Sequence, residues 1–135
     1  MPFTLAKITD TPSLLNLDVD GQVTAMDMAE HLAALHTCIN HEGWMEQHVY
    51  LIVDVRDCNM SFVDVITGAQ THGSDKRGGT TDPLTHAVFL GGGAMIQLLR
   101  EFFIKISGGK DVPIVESAEE AYQYFQQHFE VQYMR

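Results

Sequence analysis

The run Val49-Tyr-Leu-Ile-Val-Asp54-Val-Arg-Asp57, followed by Cys58-Asn-Met-Ser61-Phe-Val-Asp64, most narrows the folds open to this chain. From Val49 to Val53 strand-forming residues occupy both parities, so an extended segment here would be buried on both faces, as in the centre of a parallel sheet. The run ends in an acid. A polar stretch then leads to Ser61 and Asp64, a capping pair at a helix start. A strand that closes on an acid before a capped helix is how an open α/β sheet meets its ligand-facing edge. The segment sets the class as α/β and marks the edge where a site is expected. It names no reaction.

The flanking sequence repeats the alternation. Phe3 to Ile8 and Leu14 to Asp20 read as strands joined by turn residues Thr9 to Ser13, an N-terminal β-hairpin. In the second strand Leu15, Leu17 and Val19 alternate with Asn16, Asp18 and Asp20, which gives one wet face; Gly21 is expected to end it. Thr24 and Asp27 cap a helix with the stripe Met28, Leu32, Leu35 and Ile39, running to about Asn40 and stopped by Gly43. The strand Val49 to Val55 is followed by a short helix whose buried side is Phe62, Val65, Ile66 and Ala69. His86 to Leu90 is a fourth strand, and Gly91-Gly92-Gly93 leads into a helix from Ala94 to Ser107. Val112 to Val115 is a last strand, placed at an edge by its proline. Ser117 and Glu120 open a closing helix with Ala121, Phe125 and Phe129 on one face. A hairpin followed by three βα units predicts a single domain over residues 1–135. It should hold a five-stranded, mostly parallel sheet with right-handed crossovers and about four helices.

Charge decides which partners to exclude. The formal net charge is −10, and Ile8 to Val55 contains eight acids with neither Lys nor Arg. Such a surface repels nucleic acid and anionic membranes. No stretch approaches the ~20 apolar residues of a membrane-spanning helix. Met1 to Lys7 lacks the apolar core of a signal peptide, so the chain is expected in the cytoplasm with Cys38 and Cys58 as free thiols. The two cysteines form no CxxC, so neither a metal knuckle nor a redox pair is expected.

Four landmarks carry a resemblance: Asp18-Val-Asp-Gly21-Gln-Val-Thr24, Leu51-Ile-Val-Asp54, Val88-Phe-Leu-Gly91-Gly-Gly-Ala-Met and Ile114-Val-Glu-Ser117-Ala-Glu-Glu-Ala121. Their order and spacing over nearly the whole chain resemble the SpoIIAA-like (STAS) superfamily, in particular its small standalone bacterial proteins. The resemblance implies a single SpoIIAA-like domain with sequentially neighbouring strands. Known members include anti-sigma-factor antagonists and regulatory modules of anion transporters. In the antagonists a phosphorylatable serine follows an aspartate at the helix after the second core strand. Asp64 matches that aspartate, but the serine position is Val65. The resemblance therefore extends to the fold and not to the switch.

Candidate chemistry gathers at three places. Asp54, Asp57, Asn59, Ser61 and Asp64 offer oxygen donors at one strand-to-helix connection, the donor set of a Mg²⁺ or phosphoacceptor site. Against this, Glu116-Ser117 follows the last strand where a receiver domain has a lysine, and Ser61 and Asp64 are accounted for as a cap. Gly91, Gly92 and Gly93 could turn backbone N–H groups toward an anion. No nucleotide-binding fingerprint accompanies them, and a tight turn asks for the same glycines. Lys76 and Arg77 sit in the polar segment 71–85, as a solvated loop tip or a basic lid. The seven histidines show no HxH or HxxxH spacing, so no metal or cofactor is expected. No nucleophile elbow or Cys–His signature is present.

The resulting expectation is a non-enzymatic binding or regulatory module, whose ligand or protein partner the sequence does not name. It should self-associate as a homodimer through the helix from Ala94 to Ser107, whose apolar residues exceed one face. One alternative is a small-molecule or lipid carrier with Phe102, Phe103, Phe125 and Phe129 around an apolar cavity. Another is a Mg²⁺-dependent phosphoacceptor or enzyme using Asp54 and Asp57.

Overall fold

The computed structural model describes residues 3–10, 12–60, 63, 84–91, 93–106 and 112–129. Their element order is β1 (Phe3–Thr9), β2 (Leu14–Val23), α1 (Ala25–His41), β3 (Val49–Met60), β4 (Thr85–Leu90), α2 (Ala94–Ile106), β5 (Ile114–Val115) and α3 (Ala118–Phe129). The strands form one sheet in the order β1-β2-β3-β4-β5. β1 runs antiparallel to β2 as a hairpin, and every later pair is parallel. The central position expected for β3 is observed: Val49 and Ile52 are fully buried.

Strand alternation sorts the core into two layers. Leu15, Leu17, Val19, Leu51, Val55 and Phe89 face one side, where they pack with Leu35 and Ile39 of α1 and Ile96 of α2. Leu14, Tyr50, Ile52, Val88, Leu90 and Val115 face the other, against Ala121 and Phe125 of α3. Crossovers between neighbouring parallel strands are right-handed, and the strands here advance in one direction. The two described crossover helices, α1 and α2, are therefore delivered to one face. α3 follows the last strand, has no crossover to make, and covers the opposite face.

Thr24 caps α1 as expected. Its hydroxyl accepts from the Asp27 N–H at 3.2 Å, and Asp27 accepts from the Thr24 N–H at 2.9 Å. Gly43 ends the turn after α1 at φ 78°, a conformation that costs other residues a Cβ clash. Pro113 offers only its carbonyl, which accepts from the Phe89 N–H at 2.8 Å. β5 is then limited to two residues at the sheet edge.

Two strands run further than expected. β2 continues through Gly21, which takes φ 74°, to Val23, and β3 continues beyond Val55 to Met60. The extensions pair with each other: Asp20 with Asp57, Gly21 with Cys58 and Gln22 with Asn59. Asp57 and Asn59 therefore belong to a strand and not to a loop. The helix expected over Ser61–Ala69, with Asp64, and the segment carrying Lys76 and Arg77 lie outside the described residues, apart from Val63.

Candidate functional site

The edge singled out in the sequence is the carboxyl end of β2, β3 and β4. Its geometry turns on one irregularity. Asp18 pairs with Asp54, but Asp20 pairs with Asp57, so β3 spends one residue more than β2 over this interval. That is a β-bulge, and it resets which face each later residue takes. Without it, Asp54 and Asp57 would face opposite sides. With it, register partners share a face, and Asp18, Asp20, Asp54 and Asp57 line up on one side of the sheet. Cys58 correspondingly packs toward the core layer under α1.

Arg56 lies at the bulge and closes a fork onto Asp54. Its Nε donates to Asp54 Oδ1 at 3.0 Å and its Nη2 to Oδ2 at 2.7 Å, while its backbone N–H donates to Oδ1 at 3.1 Å. The Asp54 side chain is 14% exposed and that of Arg56 59%. These hydrogen bonds from Arg56 hold the Asp54 carboxyl below the usual carboxylate range, against the opposing effect of its burial. Asp54 in turn holds the guanidinium charge more firmly, with smaller contributions from Asp57 and Asp18. Bidentate pairs of this kind are geometrically specific. Both Asp54 oxygens accept hydrogen bonds from Arg56.

Gly91 completes the cluster. Leu90, the last residue of β4, pairs with Asp54, and the next residue passes close over Arg56. A Cβ on Gly91 would lie 2.6 Å from Arg56 Cγ and 3.2 Å from its Cα and N. Gly91 also takes φ 103° and donates its N–H to the Val115 carbonyl at 3.0 Å. This glycine is required by close approach and by its positive φ. Gly93, at φ 148°, precedes α2 and has open space around it; Gly92 lies outside the described residues.

Of the residues expected at the site, the structure thus brings Asp54, Asp57 and Gly91 together around Arg56, with Asn59 further along the same strand. Sequence reading missed Arg56 and Asp18. An Asp-x-Arg at i, i+2 in a strand is a readable signal for the first; the register that brings in Asp18 is not readable. Among the described residues no group of three or more His, Cys, Asp or Glu is arranged to hold a metal ion. The sheet order is sequential, so it lacks the reversal that opens a ligand crevice in doubly wound sheets.

The sheet order, the hairpin start and the two-layer core define a SpoIIAA-like α/β fold. The chain is similar in structure to an uncharacterised protein of the DUF3478 family with a SpoIIAA-like fold from Shewanella loihica PV-4. The TM-score is 0.59 at 11% identity, covering 90% of this chain and 92% of that one. No family model matches the sequence, and no curated protein matches it. No described helix is long and apolar enough to cross a membrane.

Proposed function

We propose that this protein is a non-enzymatic binding module of SpoIIAA-like fold, without the serine phosphoswitch of the anti-sigma-factor antagonists. It meets a protein partner through the carboxylate strip at the end of β2 and β3. The observation that carries this reading is the Arg56 fork, which commits both oxygens of Asp54 to an internal ion pair. Val65 at the position of the antagonists' serine supports the loss of the switch. Asp18, Asp20 and Asp57, with the strongest neighbouring cation already spent on Asp54, suit a partner that brings positive charge. The carrier alternative is weakened by Phe125, which is 0% exposed and so leaves no water-sized space against its ring.

Two-dimensional NMR during Mg²⁺ titration, and intact mass after incubation with acetyl phosphate, test the reading. The expected outcome is no saturable shift at Asp18, Asp54 or Asp57 and no added phosphate. Saturable shifts at these residues, or a stable phosphoryl adduct on Asp54 or Asp57, would overturn it. Self-association through α2 belongs to the same reading and is supported by Leu98, which is 45% exposed. Sedimentation at micromolar concentration should show a dimer that Leu98→Glu dissociates; a monomeric wild type removes this part.

A further inference from the structure

A second cluster lies at the opposite end of the sheet, away from the carboxylate strip. His48 stands immediately before β3, and His86 is the second residue of β4 and the register partner of Tyr50. By strand parity His48, Tyr50 and His86 share the face that α3 covers. His48 Nδ1 lies 2.7 Å from His86 Nε2. The ring planes are 14° apart and the centroids 5.0 Å apart. That centroid separation is what a 2.7 Å N···N contact leaves once a ring radius is added at each end. The imidazoles therefore meet edge to edge in nearly one plane, which is the geometry of a linear N–H···N hydrogen bond and not of face stacking.

Such a bond needs one nitrogen as donor and the other as acceptor. One proton sits between the rings, and the acceptor must be neutral there. Adding a single proton to the outer nitrogen of the donor ring gives an imidazolium–imidazole pair and strengthens the bond by charge assistance. Adding a second makes both facing nitrogens donors. The bond is then lost, and two positive charges face each other.

The pair is also packed against the end of α3. The ring of Phe129, the last residue of that helix, lies 4.2 Å from the His86 ring, and Tyr50 lies 5.3 Å from it. Tyr50 in turn contacts Phe125 at 5.1 Å and Phe129 at 5.6 Å. Among the described residues, the pair meets the Tyr50 phenol from β3, whose burial raises its pKa and keeps it neutral across the imidazole range, and the Phe129 ring from α3. α3 also carries the titratable side chains of Tyr122, Tyr124 and His128. A carbonyl can only accept, so His128 Nδ1 carries the proton it donates to the Tyr124 carbonyl at 2.9 Å. An aromatic face and a helix C-terminus both favour one positive charge beside them. Neither offsets two charges a hydrogen bond apart.

We propose that His48 and His86 form an acid-opened clasp, closed while the pair shares a proton and opened by the second added proton, which ties the entry of β3 and the start of β4 to the last turn of α3. Opening frees the edge of His86 and loosens Phe129, so the C-terminal turn of α3 is released from the sheet at acidic pH while the carboxylate strip at the far end is untouched.

The experiment is ¹⁵N NMR of the imidazoles of the full chain from pH 8 to pH 4.5, with the Phe129 ring protons followed in parallel. At pH 7.5 a nitrogen–nitrogen coupling across the His48–His86 bond is expected, and it should vanish at pH 4.5. Both rings should report two linked titration steps, with the Phe129 ring shifting in the acidic one. In His48→Gln, where His48 is exposed and the fold should persist, His86 is expected to titrate in one step. Independent single-step titration of both histidines in the wild type, absence of the coupling at pH 7.5, or a Phe129 signal with the same acid shift in His48→Gln would each overturn the proposal. Amide exchange in α3 gives a second readout, expected to lose its acid-induced rise in the variant; an unchanged rise counts against the clasp.

Discussion

Arg56 and Asp54 are two positions apart on one strand, and their pairing sets what the edge can do. With Arg56→Gln, the Asp54 carboxyl should move up toward the ordinary carboxylate range, read by ¹³C-carboxyl NMR titration; an unmoved midpoint would deny the fork its role. The sign follows from the same pairing. Because the native carboxyl lies below its unfolded value, its contribution is complete above about pH 4 and lost as pH falls through the lower native value. Gly91→Ala meets both a strained φ and the Arg56 side chain, so denaturant unfolding should show a loss of about 1–3 kcal/mol. His31 gives the clearest acid effect. It stacks on Phe3 with centroids 4.9 Å apart, and burial lowers its pKa to about 4. The unfolded imidazole binds a proton near 6.5, so between these values the unfolded state holds more protons and stability rises with pH. Stability is complete above about pH 6.5 and falls by about 3 kcal/mol on acidification to pH 4. Urea unfolding at pH 4.5 and 7.5 should show this slope in the wild type and a flatter one in His31→Phe.

Among the elements, α3 holds its face of the sheet through few residues. Phe125 and Ala121 are fully buried, and Phe125→Ala should cost about 3–5 kcal/mol by calorimetry or denaturant unfolding. The helix start is a variant of the capping box read from the sequence. Ser117 Oγ accepts from the Glu120 N–H at 3.1 Å, but Glu120 reaches back to the N–H of Glu116, one residue before the cap, at 2.6 Å. Caps and apolar stripes were legible because they are local. Strand length was not. The residues after Val55 are polar enough to read as a loop, yet Asp57, Cys58 and Asn59 keep a period of two, and Cys58 packs inward while its neighbours stay wet. The backbone of β2 beyond Gly21 offered them a ladder, and pairing prevailed over composition.

At the level of the whole molecule, the topology was readable because element order and crossover handedness leave few arrangements. Hairpin, parallel sheet and SpoIIAA-like fold all follow from it. The site was less readable because its parts meet through tertiary geometry. Gly91 approaches Arg56 only because β4 ends beside Asp54, and His48 finds His86 across 38 positions of chain. The bulge in β3 has a consequence for how this sequence tolerates change. It works as a phase shifter: every side chain beyond it is carried in the opposite frame to those before it. Deleting the single residue Arg56 would place Asp57 two positions after Asp54, so a regular ladder would keep Asp57 and Asn59 wet and Cys58 inward, and only the bulge and its ion pair would be lost. Replacing Arg56 alters one ion pair, removing it also straightens the strand, and neither rewrites the inside and outside of β3, so both variants should fold.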